Sequence, residues 1–172
     1  MMLSEAKKLN GYRLGTLSGM MGKVKECCFD DRNWTILYLA HDHEKPGEFA
    51  QGEKAWDTHL RSTYGVSGHQ IQALDGELGH VEDYIIDDEA WVIRYLIINA
   101  HDWWPGKKIL VSPQWIERIS WGERKVYVNL SRETVVQSPE YLEESRPSRD
   151  YEIGLHQHYN RQGYWNHELA AR

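Results

Sequence analysis

The sequence predicts a mainly β fold that contains an internal duplication and ends in a short C-terminal helix. Three observations carry that prediction. Shifting the chain by 57 residues lays residues 3–40 over residues 60–97 without a gap, so that Gly11, Gly19, Gly22, Asp30, Trp34 and Tyr38 fall on Gly68, Gly76, Gly79, Asp87, Trp91 and Tyr95. A match that keeps turn glycines, an acidic pair and an aromatic-aliphatic alternation marks a duplicated structural unit. Apolar residues alternate between turn signals through most of the chain, which is the period of strands. Only near the end, where Tyr151, Leu155, His158 and Tyr159 recur, does the spacing become helical.

Each copy reads as three strands. In the second, residues 69–74 and 78–86 flank Asp75-Gly76, a strong hairpin signal, and residues 91–98 form the third strand. There Trp91, Ile93, Tyr95 and Ile97 share one face and Val92, Leu96 and Ile98 the other. A strand apolar on both faces needs cover on both sides, as in a small barrel packed against something else, so Trp91, like Trp34, is expected to be buried. Asp30-Asp31 and Asp87-Asp88 fit turns, because short acidic side chains accept bonds from nearby backbone amides. Gly22 and Gly79 fit a bulge or a close backbone approach.

After the third strand the copies diverge. The second continues through a turn at Trp103-Trp104-Pro105-Gly106 to strands over residues 108–112, 117–121 and 124–130, with a short turn at 113–116. Ser131 is placed to cap a short helix ended by Ser138-Pro139, and Ser148 to cap the tail helix, with Gly163 as its stop. Residues 42–59 of the first copy are polar, carry Pro46, Gly47 and Gly52, and read as a linker. The predicted organisation is a truncated repeat at 1–41, a linker at 42–59, a complete domain at 60–138 and a helical tail at 139–172.

Composition bounds the function. A formal charge of −6 and a pI near 5.8 argue against a general nucleic-acid binder, which needs a positive field. No apolar run reaches the roughly 20 residues that cross a bilayer. The charged start, with Glu5, Lys7 and Lys8, does not read as a signal peptide, so a cytoplasmic protein is expected. Cys27 and Cys28 are neighbours on a strand and point to opposite faces, which suits reduced structural thiols.

Four segments carry a resemblance to a known family. Leu-Asp-Gly-Glu-Leu-Gly-His-Val-Glu-Asp-Tyr at 74–84, Ile-Asp-Asp-Glu-Ala-Trp-Val-Ile-Arg-Tyr-Leu at 86–96, Trp-Trp-Pro-Gly-Lys-Lys-Ile-Leu-Val-Ser-Pro at 103–113 and Val-Tyr-Val-Asn-Leu-Ser-Arg-Glu at 126–133 resemble the PRC-barrel pattern. The resemblance covers residues 60–138 as one domain and touches residues 3–41 as the first half of another. It implies a small, strongly bent antiparallel β-barrel. It also implies a role in protein-protein assembly, as in the cytoplasmic part of the photosynthetic reaction-centre H subunit and in a ribosome-maturation factor. It brings no catalytic residues. An association with photosynthetic electron transport, peripheral to a membrane complex, is one reading of it, although the H subunit's membrane helix has no counterpart.

Weighed against this, the candidate chemistry is thin. His41 and His43, and separately His156 and His158, could hold a metal or small molecule, yet neither pair shows the four-ligand spacing of a structural zinc site. Glu26 and Asp83 are equivalent strand acids that pairing with an arginine such as Arg94 would satisfy. No nucleophile elbow or Cys-His pair is present. The sequence therefore favours a non-enzymatic binding module without cofactor. Its expected partner surface is Trp103, Trp104, Trp115, Tyr164 and Trp165. Three strands without closure leave open edges, so a homodimer through residues 3–41 is expected, two half-barrels completing one.

Overall fold

The computed structural model describes residues 2–41, 58–100 and 104–166. The first repeat contains β1 (Leu3–Glu5), α1 (Ala6–Leu9), β2 (Arg13–Thr16), β3 (Gly19–Asp30) and β4 (Ile36–His41). The second repeats that order as β5 (Leu60–Ser62), α2 (Thr63–Val66), β6 (Gln70–Ala73), β7 (Gly76–Asp87) and β8 (Val92–Asn99). It then adds β9 (Lys108–Val111), a 3-10 turn (Pro113–Trp115), β10 (Ile116–Ser120) and β11 (Lys125–Val128). Two helices come last, α3 (Arg132–Val136) and α4 (Arg149–His158). Strands of three residues are too short to show a period, which is why β1 and β5 escape the sequence pattern.

Those two short strands set the architecture, because each leaves its own repeat. Leu3, Ser4 and Glu5 pair antiparallel with Asp87, Ile86 and Ile85 of β7, and Leu60, Arg61 and Ser62 pair with Asp30, Phe29 and Cys28 of β3. The two registers are the same under the repeat, so the exchange is reciprocal and two-fold in character. Backbone bonds on the same axis confirm it: Ile36 N–H donates to Trp91 O (2.7 Å) and Ile93 N–H to Trp34 O (2.9 Å), around a bridge between Thr35 and Val92. The boundary between residues 1–41 and 60–138 thus follows the repeat but not the sheets. Apolar side chains of both repeats, from Leu3 and Phe29 to Ile86 and Tyr95, form one core.

The second repeat's sheet runs in the order β10-β11-β6-β7-β8-β9, with β1 added on β7. It cannot be flat. Six strands side by side would separate the first from the last by about 24 Å. The short connection from Val111 to Ile116 reaches at most about 18 Å, so the sheet has to curl until β9 and β10 approach each other. Bulges help it bend: the register shifts opposite Gly79 in β7 and, at the matching place, opposite Gly22 in β3. At Gly79 φ is 151°, and a Cβ there would lie 2.1 Å from the Asn99 carbonyl oxygen, so no other residue fits.

The caps fall where the sequence places them. Ser131 Oγ accepts from Thr134 N–H (3.2 Å), and Ser148 Oγ from Tyr151 N–H (3.2 Å). Helix α4 stops earlier than Gly163, where Asn160 turns left-handed at φ 51°. It docks through a polar contact as well as an apolar one. Buried Glu152 accepts from Tyr95 Oη (2.9 Å) and Tyr164 Oη (2.8 Å), and Arg149 approaches its other oxygen at 3.1 Å. Burial pushes the Glu152 carboxyl up, against the pull of the Tyr164 and Tyr95 hydroxyls. Among the described residues no helix is long and apolar enough to cross a membrane.

Candidate functional site: the uncovered face of the first repeat

Because the repeats share a backbone plan, each position in one is a control for its equivalent in the other. Leu96 and Tyr95 on β8 are fully buried, whereas Leu39 and Tyr38 on β4 are partly open. Ile71 is buried and Leu14 half-buried. His69 is 3 % exposed and its equivalent, Tyr12, 65 %. What covers the second repeat is the set β9, β10, β11 and the helices after them. The first repeat has no counterpart among the described residues, since β2-β3-β4 with β5 makes a four-stranded sheet whose β2 outer edge pairs with no described strand and whose β4 outer edge meets β8 only at its start, through Ile36 N–H and the Thr35–Val92 bridge.

The same asymmetry corrects the expectation for Trp91. Both tryptophans precede a strand in the left-handed region, at φ 60° for Trp34 and 53° for Trp91. Trp34 stacks on Phe29 with ring centroids 5.0 Å apart and shares a cavity wall with Pro113, so only 8 % of it is exposed. Trp91 is 41 % exposed. A residue in that conformation no longer follows the strand's alternation, and the first repeat has nothing among the described residues corresponding to β9 and its turn to lie over it.

The tryptophans and tyrosine expected to form a partner surface do not lie together in the open. Trp115 and Tyr164 are enclosed by their own chain, Trp115 against His156 and Tyr159 and Tyr164 beneath the Arg94 guanidinium. Trp165 is half-covered and packs on the core, Trp104 is exposed, and Trp103 lies outside the described residues. Aromatic composition alone could not distinguish a core from a surface. The signal that does find the open face is the residue-by-residue comparison of the two copies.

His156 and His158 are engaged in hydrogen bonds rather than converging as a ligand set. His156 Nε2 meets Tyr95 Oη at 3.0 Å and its Nδ1 meets Gln162 O at 3.0 Å, while His158 Nε2 meets Thr134 O at 2.7 Å. Burial lowers the His156 imidazole below its usual range. His41 ends β4, and His43 lies outside the described residues. Among the described residues no three His, Cys, Asp or Glu side chains are placed to hold a metal ion.

The acids are structural in their contacts. Asp87 Oδ1 accepts from the Glu89 and Ala90 N–H groups (3.0 and 3.1 Å) and its Oδ2 holds Arg94 at 2.7 Å, so Arg94 belongs to the turn acid and not to Asp83. Burial pushes Asp87 up, but those amides and Arg94 outweigh it and hold it below the usual range. Glu26 takes a bond from the Ser62 hydroxyl, and Asp83 from Lys7 N–H (3.2 Å). Both line a cavity of about 190 Å3 between the repeats, where burial raises Asp83 to about 6. No model of a known protein family matches the chain, and no characterised protein matches it.

Proposed function

We propose that the chain is a non-enzymatic assembly module of PRC-barrel type, and that the uncovered face and edges of its first repeat are the surface through which it assembles. The observation that carries this reading is the contrast in cover: positions that β9 to β11 bury in the second repeat stay open in the first. An open strand edge beside apolar side chains is a template for another chain.

The partner we propose is a second copy. A two-fold axis perpendicular to the strands sets each edge antiparallel to its own mate, and β4 (Ile36-Leu37-Tyr38-Leu39-Ala40-His41) carries no lysine, arginine or acid to repel that mate. Two three-stranded units from residues 3–41 would bring together six strands, the length of the second repeat's own path. Sedimentation equilibrium at micromolar concentration tests this. A dimer is expected that Leu37→Glu and Tyr12→Glu convert to monomer while the near-UV circular dichroism of the folded chain is kept and the denaturation midpoint loses its dependence on protein concentration. A monomeric parent, or a dimer indifferent to both changes, would refute it.

A further inference from the structure

Tyr12 and His69 occupy equivalent positions, and what encloses His69 is the hairpin of β10 and β11. His69 stands just before β6, where its N–H donates to Val66 O (3.0 Å) and its carbonyl accepts from Val81 N–H (2.8 Å). Its ring meets Trp121 edge-on, with centroids 5.7 Å apart, and the next residue, Gln70, donates its N–H to Arg124 O at 2.9 Å. From there β11 runs parallel to β6, with Lys125, Val126 and Tyr127 opposite Gln70, Ile71 and Gln72. The imidazole therefore sits where the hairpin joins the sheet.

Buried polar groups are ordinarily hydrogen-bonded, as His156 is at both nitrogens. His69 is 3 % exposed, and neither of its ring nitrogens has a hydrogen-bond partner among the described residues. A neutral ring tolerates that place better than an imidazolium, which has two donors and a full charge to satisfy. The nearby charges have the wrong sign. Arg124 approaches from the hairpin turn, its Nη2 3.7 Å from where a Cβ on Gly68 would stand, and Arg61 of β5 lies 4.0 Å over the Trp121 ring. The acids of the surrounding elements are committed: Asp31 to Arg61, Glu77 to Lys125, Glu123 to Tyr127 Oη and Glu82 of β7 to Lys108. His80, opposite Gln70 on β7, is exposed. Helix α2 offers only the Val66 carbonyl, and burial together with Arg124 outweighs it, holding the imidazole below its ordinary range.

We propose that His69 is an acid-sensitive pin for the β10-β11 hairpin: the neutral ring packs against Trp121 and closes the second repeat, and the protonated ring leaves that place and loosens the hairpin from β6. The position then uncovered is the one that Tyr12 holds open in the first repeat, so acid moves the closed repeat toward the open one. Linkage fixes the direction. A folded state that holds the proton less tightly than the unfolded chain keeps its full stability above the ordinary imidazole value of 6.5 and loses it as pH falls below that value. Asp83, raised to about 6, acts in the opposite sense over the same range. The pin does not depend on the assembly surface.

Hydrogen exchange of the full-length protein, read as protection factors, tests the pin. Protection of residues 70–72 and 125–127 is expected to fall several-fold, up to about tenfold, between about pH 7.5 and about pH 5.5, the most that one proton gives over one unit below 6.5, while residues 96–98 keep theirs. His69→Phe retains a buried aromatic ring that takes no proton, and its protection should not change with pH. Arg124→Gln removes the facing cation from an exposed side chain; it should bring the titration of the His69 ring, followed by NMR, closer to 6.5 and shrink the fall in protection. The ring titration and Arg124→Gln decide the question without His69→Phe. The proposal is overturned by a His69 ring that titrates at or above 6.5, by protection that stays constant or rises as pH falls, or by the same fall in His69→Phe.

Discussion

The two repeats share registers, bulges and even the left-handed tryptophan, yet one is enclosed and the other is open. The difference lies not in the repeated sequence but in the chain beyond it. Behind β8 the chain supplies three more strands and two helices; behind β4 the described chain supplies only β5, which returns to β3 and leaves the outer edge of β2, and that of β4 beyond Ile36, without a described strand. Equivalent strands that keep the same isoleucine, tyrosine and leucine (Ile36, Tyr38 and Leu39; Ile93, Tyr95 and Leu96) are therefore an edge in one place and a core strand in the other. Burial is a property of the surroundings, and a duplicated unit makes that visible because the residue is held nearly constant while its cover changes.

The largest effect should separate the equivalent tryptophans. Trp34→Ala removes a ring stacked on Phe29 and should cost about 3 to 5 kcal/mol. Trp91→Ala, already 41 % exposed, should cost about 1 kcal/mol or less. Urea denaturation of both variants reads the difference, and equal losses would break the comparison at its root.

A second test sharpens the exchange of strands. Leu3→Ala and Leu60→Ala each remove a buried side chain and should cost about 2 to 3 kcal/mol. Their local signatures should be crossed. Native-state hydrogen exchange should accelerate at residues 85–87 when Leu3 is truncated and at residues 28–30 when Leu60 is, each in the other repeat. Acceleration confined to the mutated residue's own repeat would mean the short strands stay home.

The smallest effect concerns the buried acid of the second repeat. Asp83 has its folded pKa raised from 3.8 to about 6, chiefly by burial. A raised pKa means that the folded state holds the proton more tightly, so the associated stability is present below pH 3.8 and is lost as pH rises through 6. Asp83→Asn stays neutral throughout. It should be more stable than the parent by about 2 kcal/mol above about pH 7 and lose that advantage below about pH 4. A difference that does not change with pH would show that the carboxylate is solvated.

Much of the second repeat was legible in the sequence. Its longer strands fall within a residue or two of the alternating runs, Ser131 and Ser148 cap as serines before helical periods do, and Asp87 closes its turn on backbone amides. These are local effects, set by neighbours within a few residues. The candidate surface was legible only in part. Among the described residues the first copy stops after β4, and that open edge was readable, but the aromatic residues nominated as a surface scattered between core and exterior, because Trp115 and Tyr164 are defined by what α4 and the tail bring to them.

By itself, then, the sequence determined the duplication, the mainly β class, the hairpin turns and glycine bulges, and the helical tail, since each arises from side-chain period, backbone sterics or a capping hydroxyl. The tertiary structure decided the rest. It sent Leu3–Glu5 and Leu60–Ser62 into each other's sheets, joined the repeats into one core, buried Trp34 while exposing Trp91, and packed His69 against Trp121. The physical reason is that a strand's hydrogen bonds and apolar faces specify that it must be paired and covered, whereas which of two near-identical sheets does so depends on chain reach and on the elements present at each end.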